Sequence, residues 1–183
     1  MSPSTRAPLY LAVALGTLLA TGPLVAEPNS AATSYTNAKY GFSLAVPGDV
    51  FKLVETRNSQ DGQLWESRDG QGRLLAVAAT NASGETPTSY RSFVMQQSYG
   101  GASFDYTPIR DNWFVLSGRM ADGRLFYERI TFACEGRYIY GWQMTYPAAE
   151  KQRYDRIVEQ IHRSFRAGRG EDGKCGRQAR DRT

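Results

Sequence analysis

Residues 137–165 read RYIYGWQMTYPAAEKQRYDRIVEQIHRSF, and the period of the apolar positions changes at Pro147. Before it, Tyr138, Tyr140, Trp142, Met144 and Tyr146 occupy every second position. Strand side chains alternate, so these five share one face of a β-strand. After it, Tyr154, Ile157, Val158, Ile161 and Phe165 fall within an arc of about 100° on a helical wheel, which predicts an amphipathic helix over 148–165. The connection is short, so the helix runs back along the strand and lays its apolar stripe on a sheet face. That is an α+β arrangement.

Working toward the N-terminus, residues 124–134, 113–120 and 102–109 read as strands separated by Glu135-Gly136, Ala121-Asp122-Gly123 and Asp111-Asn112. Connections this short force an antiparallel meander. Ahead of them, Thr86 is a predicted N-cap with Pro87 at the first helical position, Tyr90, Phe93, Val94 and Gln97 follow helical spacing, and Gly100-Gly101 closes the element. Residues 63–68 and 73–80 flank Asp69-Gly70-Gln71-Gly72, whose glycines accept the positive φ angles of a hairpin turn. Residues 41–46 form a first strand stopped by Pro47-Gly48, residues 51–54 a short second one, and the polar stretch 55–62 a loop.

At 183 residues, with 41% hydrophobic and 22% charged residues, the chain has material for one sizeable core, and this composition excludes disorder throughout. The net charge of +4 is spread among alternating acids and bases and reads as an ordinary solvated surface, without the basic cluster that nucleic acid would ask for. Arg6, the apolar run Leu9 to Ala20, the helix-breaking Thr21-Gly22-Pro23 and the small Ala26 have the three-part layout of a secretory signal over 1–26. The apolar run is shorter than the ~20 residues that span a bilayer, so no stable membrane span is expected after cleavage. No cysteine follows it to carry a lipid. The expected organisation is therefore a signal (1–26), a linker (27–34), an α+β domain (35–167) and a flexible, charged, Gly-rich tail (168–183), placed in the periplasm or secreted.

An oxidising compartment and only two cysteines predict a disulfide between Cys134 and Cys175. The helix after Pro147 is long enough to return to the sheet edge where Cys134 sits, and the tail closes the remainder. Cys134 shares its strand face with Ile130 and Phe132, which points it toward the side of that helix.

Acid–base catalysis by Ser or Cys wants a base near neutral pKa, and the chain has one histidine. His162 stands at the edge of the apolar stripe as a boundary residue, with no nucleophile elbow or triad signature beside it. No His, Cys or carboxylate cluster has metal-ligand spacing, no Gly-rich phosphate loop or dinucleotide fingerprint occurs, and no cofactor is expected. Glu171-Asp172 lies in the tail, where nothing desolvates it. The row Tyr138, Tyr140, Trp142 and Tyr146 has two readings: a stacking platform for a ligand, or core beneath the last helix, which needs such a face. Asn81-Ala82-Ser83 matches the N-glycosylation sequon, relevant only in a eukaryotic source.

Tyr40-Gly41-Phe42-Ser43-Leu44-Ala45-Val46-Pro47, Ser89-Tyr90 entering the first helix, Tyr146-Pro147 before the second, and Tyr154, Ile157 and Ser164-Phe165 within it resemble the PsbP-like fold. That fold is shared by a photosystem lumenal protein, exported bacterial relatives and a Ran-binding nuclear import factor. The matches span nearly the whole expected domain in the right order; the family often has Trp where Phe51 stands. The resemblance implies an antiparallel α/β sandwich and a non-enzymatic role. The expected function is thus an exported, non-catalytic binding or assembly module of the cell envelope whose partner is a protein or small ligand. The alternative is an envelope hydrolase using a carboxylate and Tyr without His.

Overall fold

The computed structural model describes residues 32–54 and 60–175. The expected signal, residues 27–31 of the expected linker, residues 55–59 of the polar loop and residues 176–183 of the tail lie outside the described residues. In chain order the elements are β1 (Ala32–Thr36), β2 (Ser43–Pro47), β3 (Phe51–Val54), β4 (Gly62–Ser67), β5 (Arg73–Thr80), α1 (Pro87–Ser98), β6 (Ser103–Tyr106), β7 (Ile109–Arg110), β8 (Trp113–Arg119), β9 (Leu125–Ala133), β10 (Tyr138–Tyr146), a 3₁₀ turn (Ala148–Glu150) and α2 (Lys151–Ser164).

Two antiparallel meanders make the main sheet, in the order β3-β4-β5-β10-β9-β8-β6 with β7 beside β8. α1 carries the chain from β5 across to the far edge, and the second meander returns until β10 pairs with β5, Tyr140 opposite Ala78 and Trp142 opposite Ala76. α1 begins where the local signals place it. The Thr86 hydroxyl accepts from the Ser89 amide at 3.2 Å, and the Ser89 hydroxyl accepts from the Thr86 amide at 3.0 Å, a reciprocal capping box ahead of Pro87.

The sheet has an apolar cluster on each face. One holds Tyr140, Trp142, Met144 and Tyr146 of β10 with Leu74, Ala76 and Trp65, covered by Tyr154, Ile157 and Ile161 of α2 and by Phe42, Leu44 and Val46 around β2. The other holds Phe114, Leu116, Phe126, Ile130, Phe132 and Ile139, covered by Val94 of α1 and by Tyr99. The two helices therefore lie on opposite faces, because alternate residues of β9 and β10 feed opposite clusters.

Three sequence expectations change. The last residues of the expected linker are a strand, with Ala32, Thr33 and Ser34 paired to Pro47, Val46 and Ala45. β1 is almost wholly exposed, so it is held by backbone bonds that composition does not report and by the one ring of Tyr35 against Phe42 and Trp65. The expected flexible tail is docked as far as Cys175. Ser43 and Arg166 exchange backbone bonds of 3.0 and 2.8 Å, and Gly170 donates its amide to the Tyr140 hydroxyl at 2.9 Å. Gly168, where a glycine three residues past the apolar stripe invites reading as a helix cap, lies beyond the Phe165 cap instead: it is buried, and a Cβ there would stand 1.8 Å from the Tyr40 carbonyl, so only glycine lets the chain pass.

Cys134 and Cys175 are bonded, with Cα atoms 5.0 Å apart. The route to that bond differs from the one expected, since Ile130 and Phe132 face α1 rather than α2. Cys134 lies just past β9, and the positive φ angles of Cys134, Glu135 and Gly136 (57°, 58° and 84°) turn the chain out of the strand.

Candidate functional site

α2 covers only part of its sheet face, and the strands beyond it leave a cleft of about 310 Å³ between α2 and the β6, β8 and β9 side of the sheet. Along β9, Phe126, Ile130 and Phe132 point to the α1 side, so the intervening Tyr127 and Arg129 point to the α2 side. Tyr127 lies over Trp142 with ring centroids 5.1 Å apart and planes 23° from parallel, which fixes its hydroxyl toward α2. There it meets His162 Nδ1 at 3.1 Å, while Arg129 Nη1 stands 2.9 Å from His162 Nε2.

Arg129 Nη1 also lies 3.4 Å from Nδ1, so the guanidinium stands close to both ring nitrogens while the Tyr127 hydroxyl bonds to Nδ1. Burial, and then the neighbouring Arg129 charge, hold the His162 pKa below its ordinary value. The ring is therefore neutral at neutral pH. At the other end of the cleft, Tyr146 donates to Asp155 Oδ1 at 3.2 Å, and Lys151 reaches Asp155 Oδ2 at 2.5 Å. Arg163 takes Glu159 one helical turn away. The cleft is a surface of aromatic and charged groups that mostly satisfy one another.

The aromatic row is packing, which corrects the stacking-platform reading. Tyr140 and Trp142 are 0% and 1% exposed, and Tyr146 is 4% exposed with its ring on Tyr154, centroids 5.0 Å apart. Tyr138 is half-buried, edge-on to Tyr40. No open ring faces remain on the buried three, because α2 and the segment around β2 supply the covering layer. His162 is half-buried, as its position on the stripe predicts, but sequence reasoning missed its two partners on β9. The signal was present in the strand's polar alternation of Tyr127, Arg129 and Thr131.

On the opposite face Glu128 accepts from the Tyr99 hydroxyl at 2.7 Å, and Gln143 donates to that same hydroxyl at 2.7 Å. Burial pushes the Glu128 carboxyl up to about 7, only partly offset by the Tyr99 bond. The folded protein therefore prefers the protonated acid, and stability is lost as pH rises from about 4.5, the ordinary value, through about 7. The loss is at most about 3 kcal/mol. Glu128→Gln keeps an acceptor for Tyr99, so it is expected to flatten this pH dependence and to stabilise the protein by roughly 1–3 kcal/mol near pH ~8. Urea unfolding of both proteins near pH ~5 and ~8 checks it; a glutamine variant less stable than the parent at the higher pH would contradict the assignment.

Among the described residues no group of three or more His, Cys, Asp or Glu side chains is placed to hold a metal ion, and no helix is long and apolar enough to cross a membrane.

An antiparallel sheet with two helices packed on it, in this strand order, is the PsbP-like α+β fold. Its solved relatives include cyanobacterial PsbP (CyanoP) from Synechocystis sp. PCC 6803, with TM-score 0.57 at 16% identity over 84% of this chain and 98% of that one. The Ran-binding protein Mog1p of Saccharomyces cerevisiae superposes with TM-score 0.50 at 8% identity, over 74% of this chain and 95% of its own. No family model matches the chain, and no curated protein matches it. At these identities the likeness is one of fold.

Proposed function

We propose that this chain is an exported, non-catalytic binding or assembly module of the cell envelope that receives a protein or small ligand in the cleft beside α2. The observation that carries the reading is the state of the cleft: His162 is neutral and held between the Tyr127 hydroxyl and the Arg129 guanidinium, and Asp155 is occupied by Lys151 and Tyr146. Such groups orient and recognise; they leave no free base beside a nucleophile. The signal layout of residues 1–26 and the Cys134–Cys175 bond suit an oxidising compartment outside the cytoplasm. Mog1p, a Ran-binding protein, is an example of this fold presenting a surface to a protein.

The hydrolase reading has one observation in its favour, the Glu128–Tyr99 pair with its raised carboxyl. The Tyr99 hydroxyl donates to the Glu128 carboxyl and accepts from Gln143, so it is fully engaged, which favours a structural role. The test uses protein recovered from the extracytoplasmic fraction, whose intact mass is expected to place the N-terminus near Glu27. That protein, immobilised, is expected to capture a defined partner from envelope extract, identified by mass spectrometry. Recovery of full-length chain from salt-washed membranes would refute cleavage. Turnover of an envelope substrate that is abolished in folded Glu128→Gln would favour the hydrolase.

A further inference from the structure

Arg129 is half-buried, yet its hydrogen-bond partners are neutral: His162 Nε2 at 2.9 Å and Thr131 Oγ1 at 3.5 Å. Its guanidinium lies over the Trp113 ring at 5.0 Å, and no carboxylate pairs with it among the described residues. Three carboxylates line the cleft, and none pairs with Arg129: Asp155 is matched by Lys151, Glu159 by Arg163, and Asp105 of β6 forms no ion pair with it. A second cation, the exposed Arg110, approaches the same indole at 5.9 Å and donates only to its own Ile109 carbonyl, at 2.9 Å. Two guanidiniums thus share one tryptophan, and among the described residues neither is paired with a carboxylate.

Desolvating a cation without an anion is costly, and the cost is recovered when a ligand brings the anion. Stacking on an aromatic ring leaves the N–H edge of a guanidinium free for the paired bonds that a carboxylate accepts. Apolar contact is at hand on the same sheet face: Trp113 is half-buried, and Tyr106, 57% exposed, is paired with Ser117 and lies close enough to Tyr127 to bear on its hydroxyl. Trp, Tyr and Arg around a partly dried centre are the composition of a protein-binding hot spot. We propose that Arg129 and Arg110, on either side of Trp113 and beside Tyr106, recognise an acidic segment of a partner protein, a Glu or Asp side chain seating on the Arg129 guanidinium. The inference rests on the binding-module reading and names the chemistry of the partner.

His162 makes the site self-reporting. It is the one histidine in the chain, it touches Arg129, and the other groups bearing on it are Tyr127 from β9 and Glu159 from its own helix, with Asp105 of β6 and the Lys151–Asp155 pair of α2 lining the same cleft. An anion bound to Arg129 offsets the charge that disfavours imidazolium, so it raises the His162 titration midpoint. The experiment follows the His162 ring signals by NMR across pH in the exported protein, with acetylated hexaglutamate, hexaglutamine or inorganic phosphate added. Hexaglutamate is expected to raise the midpoint by about half a pH unit or more, with hexaglutamine and equimolar phosphate leaving it in place. Arg129→Gln is expected to weaken hexaglutamate binding about tenfold. The exposed Arg110→Gln, which leaves the fold intact, is expected to weaken it by about threefold. A midpoint that hexaglutamate does not move, an equal shift with phosphate, or unchanged affinity in both variants overturns the proposal. Equal capture of an envelope partner by the parent and by Arg129→Gln overturns it while the binding-module reading stands; hexaglutamate binding with no partner captured does the reverse.

Discussion

Replacing both cysteines, as Cys134→Ser with Cys175→Ser, is expected to lower the unfolding free energy by about 4 kcal/mol. The bond closes a loop across 41 positions of sequence, and in the chain-entropy picture that is the conformational freedom it denies the unfolded chain. It also ties down a segment with few other anchors. Between α2 and Cys175 the chain is held by the Ser43–Arg166 backbone pair, the passage of Gly168 beneath the Tyr40 carbonyl, and the Gly170 amide on the Tyr140 hydroxyl. Denaturant unfolding of the oxidised protein and of the double variant measures the total, and hydrogen exchange at the Gly170 amide reads the local part. A loss below about 1 kcal/mol with Gly170 still protected would mean that these non-covalent contacts dock the segment without the disulfide.

Ile161→Ala is expected to cost about 2 to 5 kcal/mol, the range for removing a buried aliphatic side chain and leaving a cavity. Ile161 is 0% exposed and shares its cluster with Tyr154 and Ile157 of the same helix and with Leu44 and Trp142 beneath it. The backbone around it has little freedom to collapse into the gap, because Ala45 donates to the Ser164 hydroxyl at 3.0 Å and Arg166 is bonded to Ser43. Phe93→Ala on α1 is the control. That ring is larger but 53% exposed, so its removal is expected to cost well below the Ile161 figure. Equal midpoints for the Ile161 variant and the parent would contradict the packing of α2 on this sheet.

The change of period at Pro147 was legible because both elements beside it carry their burial in local spacing: Tyr140, Trp142 and Met144 alternate, and Tyr154, Ile157 and Ile161 recur by helical turns. The Thr86-Pro87 start of α1 was legible for a similar reason, since a cap is made by residues three apart in sequence. β1 was not. Ala32–Thr36 has no alternating apolar face, and its one side chain packed on the core, Tyr35, meets Phe42 and the sequence-distant Trp65. The cleft was half legible. His162 could be placed at the border of the helix stripe, but its meeting with Arg129, 33 residues away, depends on which strand the helix crosses. The aromatic row could be drawn as a face, though its burial depends on what lies above it.

Local pattern and turn chemistry by themselves determined the kinds and order of most elements, the antiparallel sense of the hairpins, and the resemblance to a PsbP-like α+β sandwich. These follow from interactions among residues near one another in the chain, which period and capping report directly. Only the tertiary structure decided that β10 closes against β5, that α1 and α2 take opposite faces of one sheet, and that residues 168–175 are docked. It also decided that Arg129 reaches His162 and Trp113 without meeting a carboxylate. Each of these rests on groups far apart in sequence approaching within a few ångströms, which the long-range pairing of strands imposes and no local period encodes.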